Sequence, residues 1–176
     1  MALVWVTGTS GTGKSSICEV LKDQGHSAID ADWEGYSHWV HRMTGEVIVD
    51  SPYPVPSGWL MEFAWRIDVA RVHSLAAMAG SGVTFLCGSV ENEGEVWQYF
   101  DHVVCLIIDD ETLRHRLATR TTNEFGKHPE ELAAALKANA VVEGQYRRRG
   151  AMILDATRPL DVVVRDVLAF TGHAGD

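Results

Sequence analysis

The chain gathers a chemically loaded stretch close to its start: G-T-S-G-T-G-K-S-S, Gly8 to Ser16. Gly8, Gly13, Lys14 and Ser15 fit the spacing G-x-x-x-x-G-K-[ST], with Thr9, Ser10, Gly11 and Thr12 between the anchors and Ser16 after them. The chemistry this spacing serves is anion capture. Glycines at 8, 11 and 13 let the backbone turn tightly and expose successive N–H groups, a concavity suited to phosphate oxygens. A helix beginning near Lys14 adds its positive end. Lys14 then reaches the β- and γ-phosphates of a nucleoside triphosphate, and the Ser15 hydroxyl is placed to ligate Mg²⁺.

Three further groups have types that suit phosphoryl chemistry. Asp30 and Asp32 stand two apart at the end of an apolar run, which puts them on the same side of a strand. At the carboxyl end of a parallel strand beside the loop they are where ligands bind in such sheets; the alternative is a plain strand-end turn. Arg116 and Arg120 are spaced i, i+4, on one helical face. They are either cationic clamps over a γ-phosphate, where rate can be gained, or a solvated face. Arg147, Arg148 and Arg149 end a helix whose dipole favours arginine there in any case.

The elements needed to position these groups are legible as alternating strands and helices. "LVWV" is a short buried strand leading into the glycine loop, and "KSSICEVLKDQG" is a helix apolar at Ile17, Val20 and Leu21, stopped by Gly25. "HSAIDAD" (26–32) reads as a second strand. The aromatic stretch that follows, with Pro52, Pro54 and Pro56, reads as an insertion holding a short helix and a small hairpin near Gly45. Leu60, Phe63, Ala64 and Ile67 mark a helical face, so a helix is expected over 60–78, ended by Gly80. Strands follow at 83–88, 102–109 and 151–156, with helices from Asp109 or Asp110, from Pro129, and over the run "PLDVVVRDVLAF". Alternation of this kind implies a parallel sheet covered on both faces.

Composition narrows the function further. With 176 residues, 46% hydrophobic and 22% charged, the chain fits one globular domain, 1–176. No run approaches a membrane span, and no basic leader precedes the first strand. Three cysteines, Cys18, Cys87 and Cys105, are too few for a disulfide framework and suit core positions in a reducing cytoplasm. A net charge of −9 argues against a nucleic-acid partner. Residues 114–149 nevertheless carry eight basic against four acidic side chains, a local +4, which suits a small polyphosphate.

Taken together, the chain resembles the small P-loop kinases of the adenylate kinase, shikimate kinase and gluconate kinase group. The Asp30-Ala31-Asp32 end of the second strand is similar to the D-x-D of shikimate kinases, and "LRHRLATR" to the L-x-x-R-L-x-x-R lid helix. "DATRPLDVVV" is similar to the adenine-contacting loop, with Thr157, Arg158 and Pro159 in that stretch. The resemblance implies a three-layer P-loop NTPase fold with a five-stranded parallel sheet in the order 2-3-1-4-5. It implies ATP and Mg²⁺ as cofactors, Asp30 and Ser15 on the metal side, and Asp32 as the base. It also implies Lys14, Arg116 and Arg120 in catalysis, Arg158 and Pro159 near adenine, and one of Arg147, Arg148 and Arg149 returning to the phosphates. Residues 33–82 become the substrate-binding insertion and helix, and 113–129 the lid.

The third strand departs from the pattern: "CGSVENEG" has no Walker B acid and no glycine triplet, so shikimate itself is disfavoured. Ser89, Glu91 and Asn92 there either face the acceptor or form an ordinary polar loop. Trp33, Tyr36, Trp39, Tyr53, Trp59 and Trp65 either pack or stack a flat ring. Arg42, Arg66 and Arg71 are the basic residues between Lys22 and Arg114, and nearby acids favour surface pairs over a monophosphate clamp. The expected activity is transfer of the γ-phosphate of Mg·ATP to a hydroxyl of a small-molecule acceptor, in a monomer or homodimer with no membrane or nucleic-acid partner. A nucleoside or nucleoside monophosphate kinase is the alternative. A P-loop ATPase acting as a protein-interaction switch is the rival from another class; no N-K-x-D signature supports a GTPase.

Overall fold

Strand β1 (Ala2–Gly8) is apolar on both sides because both are covered: Val4 and Val6 face one helical layer, Leu3 and Trp5 the other, all of them buried. The computed structural model describes residues 2–78 and 82–172. After β1 come α1 (Lys14–Asp23) and β2 (Ser27–Asp30), then β3 (Ser37–His41), β4 (Val47–Ile48), α2 (Trp59–Glu62), β5 (Phe63–Ile67) and α3 (Val69–Ala77). Next are β6 (Val83–Cys87), the short α4 (Glu93–Val96), β7 (His102–Ile107), α5 (Asp110–Thr119), α6 (Pro129–Arg148), β8 (Met152–Asp155) and α7 (Leu160–Phe170).

Five of the strands form one sheet, β2-β6-β1-β7-β8, parallel throughout. Numbered within that sheet alone the order is 2-3-1-4-5, as the resemblance implies. One layer packs Ile17 and Leu21 of α1, Leu113 and Leu117 of α5 and Val164 and Val167 of α7 against Val4, Val6 and Phe85. The opposite layer packs Val72 of α3 and Val142 and Tyr146 of α6 against Leu3, Trp5 and Leu86. Cys18, Cys87 and Cys105 are buried free thiols. Among the described residues no helix is long and apolar enough to cross a membrane.

The insertion is more ordered than its composition suggests. It forms a second, antiparallel sheet, β4-β3-β5, with the expected hairpin between β3 and β4 around Gly45. The helix expected over 60–78 is corrected: it breaks into a single turn, α2, then strand β5, then α3. Residues 63–67 alternate, so that Trp39 pairs with Trp65 and Val40 with Ala64 across the two strands. This pairing, which local spacing cannot show, outweighs the helical pattern. Asp68 starts α3 afresh by accepting a hydrogen bond from the Arg71 N–H at 3.0 Å. Gly80 lies outside the described residues.

Asn92 fastens this small sheet to the body. Its side chain, 6% exposed, accepts from the Ile67 N–H at 2.8 Å and donates to the Ile67 carbonyl at 3.1 Å, acting as a strand partner for the end of β5. Replacing Asn92 by alanine strands both groups of a buried residue, each at a cost of about 1–3 kcal/mol. The expected result is a urea midpoint lowered by the equivalent of about 2–3 kcal/mol with an unchanged denaturant slope. A midpoint equal to wild type would mean that Asn92 does not fasten the sheet.

Candidate active site

The glycine loop leaves β1 at its carboxyl end and enters α1. Gly8 takes φ 137°, and a Cβ there would meet the Leu106 carbonyl oxygen at 2.4 Å, so the position is closed to any side chain. Gly11 (φ 86°) and Gly13 (φ 97°) also need the left-handed region, and Gly13 caps α1 with no side-chain bond to its first N–H groups. Those groups therefore stay free for an anion. Inside the turn, Thr12 Oγ1 donates to the Thr9 carbonyl at 2.8 Å. Thr9 Oγ1 donates to Asn139 Oδ1 at 2.9 Å. Ser15 and Ser16 are exposed on the first turn of α1.

Lys14 folds over this loop, its Nζ donating to the Gly8 and Thr9 carbonyls at 2.9 Å each. Burial lowers its pKa to about 8; Asp32 opposes that shift, Arg120 adds to it and Asp30 opposes it.

Both acids of the Asp-Ala-Asp stretch lie beside the loop, but not as neighbours along a strand. β2 ends at Asp30, and Asp32 belongs to the turn that follows. Asp30 is buried and organises that turn: its Oδ1 accepts from the Asp32 N–H at 3.1 Å and the Trp33 N–H at 3.3 Å. Asp32 is exposed on the cleft, and crowding by the surrounding protein, which removes part of its hydration, raises its carboxyl pKa; Lys14 and the Trp65 indole oppose the rise. The indole Nε1 of Trp65 donates to Asp32 Oδ1 at 3.0 Å.

The two lid arginines reach the loop from different backbones. Helix α5 ends at Thr119, so Arg120 is its extended C-cap residue and does not continue the face of Arg116. Arg116 donates through Nη1 to the carbonyls of Gly11 and Thr12 at 3.3 and 3.4 Å, and through Nη2 to the Ala156 carbonyl at 2.8 Å. Arg120 Nη2 donates to Ser10 Oγ at 3.1 Å and to the Phe125 carbonyl, while its Nε is buried without a hydrogen-bond partner. Within 113–129, Leu113 and Leu117 are fully buried core residues, so the part of that stretch lying over the loop begins after Thr119.

Helix α6 meets the loop through Asn139, a residue that sequence reasoning passed over. Its Nδ2 donates to the Ile108 carbonyl and to Asp110 Oδ1, both at 2.9 Å, while its oxygen takes Thr9. The one signal was a polar, poorly helix-forming residue inside a helix. Two of the three arginines at the end of α6 are held by acids: Arg147 pairs with Glu143 at 2.6 Å, and Arg149 pairs with Glu93 at 2.8 Å and covers the Trp97 ring. In the loop after β8, Arg158 bonds the Asp155 carbonyl at 3.2 Å and Asp166 at 2.6 Å, and Pro159 caps α7.

A cavity of about 790 Å³ opens beside the loop, bounded by Gly8, Thr9 and Ser10 on one side and Asp32 on another. Of the six aromatic residues named from the sequence, Trp33, Trp39, Tyr53 and Trp65 line it. Trp59 stacks on Phe63 with ring centres 3.9 Å apart, and the Tyr36 ring carries Arg71 at 4.1 Å. Ser89 and Glu91 line the cavity; Asn92 belongs to the fastening already described. A Mg²⁺ ion takes one or two carboxylates and completes its shell with phosphate and water. The exposed Ser15 hydroxyl and the Asp30 carboxylate have that chemistry, and no group of three or more His, Cys, Asp or Glu with metal-site geometry occurs among the described residues.

The AAA domain family matches residues 4–137, and the chain belongs to it. A search of curated proteins finds no match. Among solved structures, a gluconokinase from Sinorhizobium meliloti 1021 is 22% identical with a TM-score of 0.54, covering 96% of this chain and 90% of its own. A shikimate kinase from Acinetobacter baumannii in complex with shikimate is 13% identical with a TM-score of 0.62, covering 100% and 96%. A deoxyadenosine kinase from M. mycoides with bound dATP is 14% identical with a TM-score of 0.57, covering 98% and 100%. The fold is that of the small P-loop kinases.

Lys14 sets a pH dependence for nucleotide binding. Free, it loses its proton near pH 8; a bound polyphosphate favours the charged form and raises that value. ATP affinity is therefore expected to hold steady below pH 8 and to fall above it, by up to about tenfold per pH unit. Calorimetry at pH 9 in two buffers of different ionisation heat should show proton uptake on binding, lost in Lys14→Met. Binding without proton uptake would refute the shifted lysine.

Proposed function

We propose that this AAA-domain protein is a Mg·ATP-dependent phosphotransferase that moves the γ-phosphate to a hydroxyl of a small-molecule acceptor. The observation that carries this is the shared cavity: one space of about 790 Å³ touches the phosphate loop at Gly8, Thr9 and Ser10, the Asp32 carboxyl, and an aromatic wall. A nucleotide-driven switch has no use for a second, ring-lined compartment facing its phosphates. The structural neighbours named for gluconate, shikimate and deoxyadenosine kinase activity support the same reading through their fold.

In this reading the loop N–H groups and the start of α1 hold the phosphates, and Lys14 exchanges its two carbonyl partners for phosphate oxygens. The Ser15 hydroxyl and Asp30 would hold Mg²⁺, which would supply charge neutralisation for the phosphates. Asp32 accepts the acceptor's hydroxyl proton as its oxygen bonds to the γ-phosphorus and the bond to ADP breaks; its raised pKa makes it a stronger base. Arg120, with one nitrogen still unpartnered, faces the transferring group, and Arg116 holds the loop carbonyls in place. Arg158 and Pro159 border the adenine. Residues beyond Thr119 close over the site and keep water from competing as acceptor. A nucleoside acceptor is the second reading, favoured by the indoles of Trp33, Trp39 and Trp65 on one cavity.

The test is ADP release from Mg·ATP against nucleosides, nucleoside monophosphates, sugar acids and hydroxylated aromatic compounds, with Lys14→Ala as the blank. One class should accelerate release above the water background. Asp32→Asn should then lower kcat by about 10²–10⁴-fold while ATP affinity stays near wild type. ATP hydrolysis that responds to a protein partner and to no acceptor would move the assignment to the switch.

A further inference from the structure

We infer that the acceptor has a flat, mainly apolar body and bears no anionic group, and that the Arg42–Glu91 pair is the residue pair that rejects anions. The inference rests on the acceptor-kinase reading above and specifies its substrate class.

The body follows from the walls. Trp39 and Trp65 are register partners on β3 and β5, with ring centres 5.1 Å apart and planes at 64°, so both indoles are fixed before anything binds. Trp33, 68% exposed, stands at the same cavity directly after Asp32. Ala134, Ala138 and Val142 of α6 line the same cavity with small aliphatic side chains. A cavity lined by fixed indoles and small aliphatic residues suits a planar ring. A sugar acid, with hydroxyls on every face, would leave these apolar walls unmatched.

The charge follows from which groups are already paired. Five carboxylates line the cavity, those of Asp32, Glu91, Glu93, Glu124 and Glu131, against one basic side chain among the described lining residues, Arg42. Glu93 is matched by Arg149 and Glu124 by Lys127. Arg42 is the lining cation that could receive an acceptor's acidic group, but its fork is filled: Nη1 and Nη2 donate to the two oxygens of Glu91 at 2.7 and 2.9 Å. Its Nε donates to the Leu60 carbonyl at 3.1 Å. Glu91 is itself held to β5, its N–H donating to the Trp65 carbonyl at 2.8 Å. Both side chains are partly exposed, so water screens the charges, and it is the bidentate geometry that makes the pair stronger than an ordinary surface pair.

An acceptor carboxylate or phosphate would have to displace Glu91 and leave that charge unpaired in a cleft that already holds Asp32. Rejection by an uncompensated charge is how sites discriminate against a competitor that otherwise fits. Among the described residues, the two other arginines of the stretch 33–82 are also engaged. Arg66 is engaged by Glu95, and Arg71 lies over Tyr36 and donates to the Gly35 carbonyl. A neutral or amine-bearing acceptor meets no such obstacle.

Three para-substituted benzyl alcohols with a common ring and reacting hydroxyl test this: one bearing hydroxymethyl, one aminomethyl, one carboxylate. Calorimetric titration into the wild-type protein with Mg·ADP should show the neutral and amine members binding at least about tenfold more tightly than the carboxylate. Glu91→Gln, which frees the Arg42 fork, should improve carboxylate binding by about tenfold and leave the neutral member unchanged. Arg42→Gln with Glu91→Gln should abolish that gain, which separates a freed arginine from a loosened cavity. Equal binding of carboxylate and neutral twin in the wild type overturns the charge rule, and a silent Glu91→Gln overturns the role of the pair. Failure of all three to bind at millimolar concentration overturns the planar body. Failure of the kinase reading looks different: nucleotide binds, the probes discriminate as described, and no acceptor of any class is phosphorylated.

Discussion

The direction in which the peptide units between Gly8 and Gly13 face decides whether this protein has a site at all. A loop that presents N–H groups to an anion must turn its carbonyls inward, where they need donors or become buried unpaired oxygens. The chain supplies those donors from three places. Lys14 covers the carbonyls of Gly8 and Thr9, Thr12 covers Thr9 again, and Arg116 reaches across from α5 to Gly11 and Thr12. Arg116 also holds the Ala156 carbonyl after β8, so one guanidinium ties the loop, α5 and the last strand together. The conformation is thereby fixed before nucleotide arrives, and binding need not bear the cost of ordering it. The same logic explains Gly8, whose missing side chain lets β1 run against the Leu106 carbonyl of β7.

The second compartment depends on a comparable economy of contacts. The antiparallel sheet leaves the body after Asp30 and must return before α3, and the segment after β6 receives it. Glu91 and Asn92 bond the backbone at Trp65 and Ile67, standing in for a fourth strand beside β5. Gly88 permits this approach, since a Cβ there would lie 2.7 Å from that of Ala31. Three successive polar residues thus take different work: Glu91 neutralises Arg42, Asn92 fastens the sheet, and Glu93 pairs with Tyr146 and Arg149. The Tyr146 hydroxyl, its pKa raised by burial and by the Glu93 charge, lies 3.4 Å from Thr7 Oγ1 under the loop.

How far the sequence discloses this varies with how local the cause is. The glycine loop, the parallel strands and the buried thiols are legible because glycine spacing, β-branched runs and short apolar residues carry their reasons within a few positions. The stretch 60–78 misleads because Leu60, Phe63, Ala64 and Ile67 satisfy a helical period by coincidence, while the pairing that makes β5 lies more than twenty residues away in β3. The arginines ending α6 draw attention by charge alone, yet acids on neighbouring turns and on α4 claim two of them. Asn139 reaches the loop instead, and no spacing rule marks it. Asp32 is found for the wrong geometric reason: a turn built on the Asp30 carboxylate, and not strand alternation, aims it at the cleft.

Charge is divided along the cleft in a way that composition foreshadows. The segment 114–149, locally +4, brings Arg116 and Arg120 to the glycine loop, while Asp32, Glu91 and Glu93 from elsewhere in the chain join its own Glu124 and Glu131 along the cavity. Two contacts cross between the halves above that boundary. The Tyr53 hydroxyl accepts from the Glu124 N–H at 2.7 Å, and Glu130 at the start of α6 accepts from Ser57 Oγ at 2.6 Å and the Gly58 N–H at 2.9 Å. The loop covering the acceptor side is therefore hydrogen-bonded to the segment covering the nucleotide side. Leu113 and Leu117 are anchored in the core, and the chain beyond Thr119 carries both Arg120 and the bridge to Tyr53. A displacement of this one short segment would therefore break contacts on both sides of the cleft at once, the Arg120 bond to Ser10 and the Glu124 bond to Tyr53.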